Sequence, residues 1–266
     1  MEQGKYLYIK VDVDEDTTTI LFRRPDVRNA FNSKMIKEIT SAVKLADSLF
    51  LVFRGEGNVF SAGADVDYMR KIARMGYDDN LKDAKILAKL FEEIANSSCI
   101  TISMIQGASM GGGNGIVAAS DFSIALRNTL FSFSEVKLGL VPATISPYVL
   151  QKVGRGKALE LFLTGRQFDA AEAHSIGLVT KVADHNSFEN DLITLKEKLR
   201  QNSPAAMRSV KRLLRSLASS TEDILEITSS FIADARSSMD GQEGLAAFLE
   251  KRSPSWFNAE SNDKGW

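Results

Sequence analysis

Two spacings of apolar residues alternate along the first half of this chain. YLYIKVDV (6–13) and TTTILF (17–22) read as strands joined by the acidic turn Asp14-Glu15-Asp16. Past a turn around Pro25 in RRPDVRNAFN the spacing lengthens. Met35, Ile36, Ile39, Val43 and Leu45 make a helical stripe over 34–46, with Asn32 or Ser33 as its cap. LFLVFRG (49–55) is an unbroken apolar run of strand length, closed by GEGN. The glycine turn FSAGAD then leads into a helix over 65–73, and Leu81, Leu87, Leu90, Phe91 and Ile94 mark a longer amphipathic helix over 78–96. A second apolar strand, 99–105, runs into a second glycine turn, GASMGGGNG, and residues 116–119 open a buried helix. The order β-β-α, then β-turn-α twice, predicts a layered α/β architecture.

The pattern changes after Glu135. PATISPYVLQKV, GKALELFLTG and DAAEAHSIG read as short helices, with a small strand over 178–182. Helices then fill 188–200, 204–218, 221–236 and 241–251, Pro204 being a good first helical residue. The expected organisation is an α/β body over 1–200 and a helical region over 201–266, whose tail SNDKGW is expected to be disordered.

Composition narrows the classes. Net charge of −1 gives no reason to expect nucleic acid or an anionic membrane surface as partner. No run approaches the roughly 18–20 apolar residues of a membrane span, and the first residues lack the apolar core of a secretory signal. The single cysteine, Cys99, cannot form an intramolecular disulfide, which suits a reducing cytoplasmic setting, and its surroundings SSCITISMI make it a buried thiol. His174 and His185 have no second ligand at metal spacing, so no metal is expected. GRGKA lacks the remainder of a phosphate loop.

What remains is two glycine turns and an isolated acid. Five of the nine residues from Gly107 to Gly115 are glycine, a concentration found where φ must be positive or another group approaches the backbone. A strand, a glycine turn and a helix start leave free N–H groups at a helix N-terminus, suited to an anion or a developing oxyanion. Glu135, between FSFS and VKLGL, is a lone carboxylate in apolar surroundings, with Phe131, Phe133, Leu138 and Leu140 expected to wall it. Donors beside an isolated acid point to chemistry at a carbonyl. A different reading stays open, because GNGIVA from Gly113 matches G-x-G-x-x-A with Glu135 ~20 residues on, the outline of an NAD(P)-binding turn.

RPDVRNAFN, FSAGAD, IQGASMGGGNGIVAASD, FSFSEVKLGLVPATISPYV, LTGRQFDAAEAHSIGLV and EGLAAFLEKRSPSWF together resemble the crotonase (enoyl-CoA hydratase/isomerase) family, in its order and spacing. The resemblance implies an α/β spiral of ββα units, a C-terminal helical trimerisation region, and acyl-CoA thioester substrates, coenzyme A entering as part of the substrate with no separate cofactor. It places the oxyanion donors on Ala64 and Gly112 and the acid/base on Glu135. Substrate contacts fall on Arg28, Ala62, Asp65, Gly115 and Lys251, with Arg28 and Lys251 toward the phosphates, and a homotrimer or a hexamer is expected. The usual hydratases carry a second glutamate, which falls here on Gly115. Within the family the motifs look most like the methylglutaconyl-CoA and isohexenylglutaconyl-CoA hydratase branch, whose substrates bear a second carboxylate. Gly115 is accordingly expected either to open room for an acidic acyl branch, with Arg70, Lys71 or Arg74 as counter-ion, or to permit close helix packing.

Overall fold

A computed structural model of the chain describes residues 6–219 and 223–257 and divides it into two units, Met1–Asp191 and Leu192–Trp266. The division falls inside a helix, Phe188–Arg200, rather than after it as the sequence suggested. The tail SNDKGW lies outside the described residues. Among those described, no helix is long and apolar enough to cross a membrane.

In the first unit the strands are β1 (Ile9–Asp14), β2 (Thr17–Phe22), β3 (Phe50–Gly55), β4 (Ile100–Ile105), β5 (Ala108–Met110), β6 (Phe122–Leu126), β7 (Leu130–Ser132), β8 (Gln167–Asp169) and β9 (Lys181–Ala183). Six form one sheet, ordered β1-β2-β3-β4-β6-β9, parallel except for the β1–β2 hairpin. All six residues of β4 are buried. A central parallel strand covered on both faces needs such an unbroken apolar run. The other three strands form a small sheet, β5-β7-β8.

The helices between them are α1 (Ser33–Leu45), α2 (Val66–Ile72), α3 (Tyr77–Asn96), α4 (Gly112–Ala119), α5 (Ser146–Thr164) and α6 (Ala170–Ser175), followed by α7 (Phe188–Arg200). Asn32 caps α1, its side chain accepting the Met35 N–H at 2.9 Å. Leu90, Phe91 and Ile94 of α3 reach the core, while Tyr77 at the other end is exposed. The two short helices expected over 142–165 are both present within α5 and meet at a kink at Gly154, whose φ of 72° and ψ of 162° no helix contains. Glycine alone adopts that pair without strain. Cys99 is buried, as expected.

The second unit holds the remainder of α7 with α8 (Pro204–Ser219), α9 (Ile224–Ser237) and α10 (Met239–Glu250). Trp256 packs over Gly244 and donates its indole N–H to Gln201 O at 3.2 Å. Arg252 forks onto Glu243 at 2.7 and 2.9 Å.

Candidate active site

Three segments of the first unit converge. FSAGAD and GASMGGGNG run side by side: Ser61 N–H donates to Ala108 O at 3.1 Å and Met110 N–H to Ser61 O at 3.0 Å. A Cβ built at Gly63 (φ 87°) would lie 3.1 Å from Met110 O, and one built at Gly111 would lie 4.0 Å from Gly63 Cα and 3.3 Å from Glu135 Oε1. Glycine at 63 and 111 is therefore what lets the two turns and the carboxylate close on one another.

The free donors follow from the pairing. Phe31 N–H donates to Gly63 O at 2.7 Å and Phe31 O accepts Asp65 N–H at 2.9 Å, so Ala64 between them faces its own N–H away from Phe31. Gly111 (φ 47°, ψ −115°) turns the second segment, donates to Ser132 O at 3.2 Å, and leaves Gly112 as the first residue of α4. Neither Ala64 N–H nor Gly112 N–H has a hydrogen-bond partner among the described residues. The helix starts four residues earlier than its apolar run (Gly112, not 116), so Gly112, Gly113 and Gly115 lie in its first turn and the positive φ belongs to the cap, Gly111. A Cβ at Gly112 would press on the Phe31 ring at 3.2 Å.

Glu135 opens a 3₁₀ turn, Glu135–Leu138, closed by left-handed Gly139. Its Oε2 is buried with no partner among the described residues. Burial pushes its carboxyl above the ordinary 4.5, and the bond from its own N–H offsets this only in part. The expected wall is different in kind. Phe131 and Phe133 point into the core, where both stack with Phe168, while Leu138 (62 %) and Leu140 (56 %) are exposed. The acid's Oε1 instead lies over the Gly111 backbone. Two further buried polar atoms, Ser109 Oγ and Asn114 Oδ1, also lack partners among the described residues, Asn114 being held by its amide on Ser132 O at 2.8 Å. Nothing in the sequence pattern marked them.

The remaining expected contacts divide. Ala62 spends its N–H on Arg28 O at 2.9 Å, leaving its carbonyl. Arg28 is exposed and left-handed (φ 53°), with its guanidinium unpaired among the described residues. Asp65 is not open to substrate, because its carboxylate accepts Asp67 and Tyr68 N–H, capping α2, and pairs with Arg24 Nη2 at 2.7 Å. Burial alone would push its carboxyl up, but the Tyr68 N–H and Arg24 outweigh it and leave it lowered. Arg24, missed from sequence, also donates to Ala30 O at 2.6 Å. Lys251, at the left-handed end of α10, belongs to the second unit.

Gly115 corrects the expected opening. A Cβ there would fall 2.5 Å from both Ile145 Cγ2 and Phe91 Cε1, so the place of the missing glutamate is filled by core side chains. Among the proposed counter-ions Arg70 is tied to Asp67 at 2.7 Å. The same packing overturns the dinucleotide reading, since the middle glycine of GNGIVA lies buried in α4 where no pyrophosphate reaches it.

Two N–H groups on adjoining turns, without partners among the described residues, and a half-buried carboxyl of raised proton affinity make an arrangement chemically able to polarise a carbonyl oxygen and exchange protons. The chain belongs to the enoyl-CoA hydratase/isomerase family, whose model matches residues 13–259. It is similar to an enoyl-CoA hydratase structure from Shewanella pealeana, 38% identical with a TM-score of 0.89, covering 95% of this chain and 97% of that one. Pseudomonas aeruginosa AtuE is 32% identical with a TM-score of 0.88, covering 94% of this chain and 99% of that one. The Mycobacterium leprae protein named "Probable enoyl-CoA hydratase echA8" is 33% identical over 261 residues, 94% of this chain and 98% of its own.

Proposed function

We propose that this chain adds water to the double bond of an enoyl-CoA thioester, or removes it, with one carboxylic acid and a main-chain oxyanion hole. The observation that carries the reading is the pair of N–H groups, Ala64 and Gly112, with no partner among the described residues, together with the half-buried Glu135, whose Oε2 is buried and likewise without one. The two N–H groups hold the thioester oxygen as it gains enolate charge, each contributing about 3–4 kcal/mol of barrier lowering. Glu135 holds the water, takes its proton as the oxygen bonds to Cβ, and returns a proton at Cα. Arg28 is the cation we assign to the CoA phosphates, with Lys251 serving them from a neighbouring subunit, and the active form is a homotrimer or hexamer.

The substrate we assign is branched and carboxylated, of the 3-methylglutaconyl-CoA kind. Its support is the motif run FSFSEVKLGLVPATISPYV and the absence of a second carboxylate at Gly115 that would repel an acidic acyl group. A second reading has its own support. With Phe91 and Ile145 over Gly115 the site has one acid, which also suffices for a double-bond shift in a 3-enoyl-CoA. Purified protein assayed against crotonyl-, 3-methylglutaconyl- and 3-hexenoyl-CoA separates these. Loss of enoyl absorbance fastest with the glutaconyl thioester is the expected result. Appearance of 2-enoyl absorbance from 3-hexenoyl-CoA alone selects the isomerase, and preference for crotonyl-CoA removes the carboxylated substrate.

A further inference from the structure

A cleft of about 580 Å³ opens at the carboxyl ends of β2, β3, β4 and β6, lined there by Leu21, Arg54, Met104 and Leu126. That edge is where open α/β sheets take ligands. None of the groups assigned above to the thioester lines it. Arg54 is its cation, held by both Glu189 oxygens at 2.8 and 2.5 Å. The partners are unequally wet: the Arg54 side chain is 27 % exposed and that of Glu189 is 63 %. Asn58, Asn128 and His185 add polar groups, and Phe188 adds an apolar wall.

Both oxyanion segments start from this cleft. Asn58 and Gly107 line it, and from them the chain runs to Ala64 and to Gly112. Phe60 N–H donates to Gln106 O at 2.9 Å, ahead of the pairing between Ser61, Ala108 and Met110. A Cβ at Gly107 would lie 1.9 Å from Asn58 O, so the segments touch there without slack. The Asn29 amide, donating to Glu56 O and Val59 O at 2.9 and 2.8 Å, pins one of them.

We propose that this cleft is a second small-molecule site, for a monocarboxylate with an apolar body, which displaces Glu189 from Arg54 and acts on the two N–H donors through the segments it touches. A guanidinium already gripping a carboxylate by two oxygens suits another planar carboxylate, and one cation against an apolar wall suits a single negative charge.

Hexanoate is the probe, titrated into the full chain by calorimetry. Saturable binding is expected, not displaced by saturating butyryl-CoA, abolished in Arg54→Met and weakened in Asn128→Trp, which narrows the mouth without touching the ion pair. Glu189→Gln removes the competing carboxylate and should tighten binding about two- to fivefold, the weight of one surface ion pair. Weaker binding in Glu189→Gln, competition by butyryl-CoA, or no binding to the wild type makes the pair a tether for α7 only and overturns the site. In the kinetic arm, which rests on the thioester reading above, hexanoate lowers kcat in the wild type and not in Arg54→Met. An unchanged kcat overturns the coupling. A protein that turns over no thioester defeats the proposed function while the binding arm still decides the site.

Discussion

The carboxyl of Glu135 sits over the Gly111 backbone with one oxygen buried and unpartnered, so ionising it costs more in the folded chain than in the unfolded one. The sign of the pH dependence follows. A raised folded pKa makes Glu135 most favourable to folding below its ordinary 4.5, an advantage lost as pH rises through the raised value. Glu135→Gln should therefore raise Tm at neutral pH, with the gain shrinking as pH falls toward 4.5, while turnover drops by about 10²–10⁴-fold. Thermal scans across pH, paired with kinetics, check both signs. A variant that is less stable at neutral pH, or one that keeps its turnover, removes Glu135 from the role. The wild type should also lose kcat/KM on the acid side through a limb above the ordinary carboxylate range, because the base must be ionised to take the proton from water. A limb at or below 4.5 would mean that burial does not tune this acid.

Elements carry the second tier of the site. Asp65 fixes the start of α2 and, through Arg24, the turn that brackets Ala64. Asp65→Ala removes an N-cap worth about 1 kcal/mol and leaves a largely buried guanidinium unpaired, so chemical denaturation should show a total loss of about 2–3 kcal/mol. Asp65→Asn retains a cap acceptor and should lose less. Equal losses in the two variants would make the cap irrelevant. At the next helix, Gly115→Ala drives a methyl into Phe91 and Ile145, an overpacking cost of about 1–3 kcal/mol. Phe91→Leu in the same chain should return part of it, and a neutral Gly115→Ala would contradict the packing. These cases mark what the sequence could tell. β1 to β4 and α1 to α3 were legible because each repeats its apolar spacing over a full element. Glu135 was legible because it is the single acid in an apolar stretch. β5, β7 and β8 span three residues each, too short for a period to register. For Gly115 the sequence left two roles open, and close packing is the one found, because Phe91 from another helix, which no local spacing reveals, fills the space beside it. Leu138 and Leu140 misled for the opposite reason: an apolar run predicts burial, and theirs is exposed.

On the scale of the whole molecule, each unit leaves apolar side chains in water that a monomer gains nothing by exposing. In the first, Val136, Leu138, Leu140 and Val141 follow Glu135 directly, with Val141 75 % exposed. In the second, Met239 (89 %) and Leu249 (77 %) stand at the two ends of α10. Scattered exposed leucines need no explanation, but four exposed apolar residues within the six that follow Glu135 are what a surface covered by another chain would present. Assembly into a trimer or hexamer would cover such surfaces, and the expected mass by light scattering is three or six times 29.2 kDa. Met239→Glu and Leu249→Glu place a charge on exposed positions, so they should leave the monomer folded and shift the mass downward. Val141→Glu should do the same if the run after Glu135 lies in the interface, and its KM should then rise with the loss of assembly. A wild-type mass equal to one chain at micromolar concentration, or variants that assemble unchanged, would leave these surfaces to some other partner.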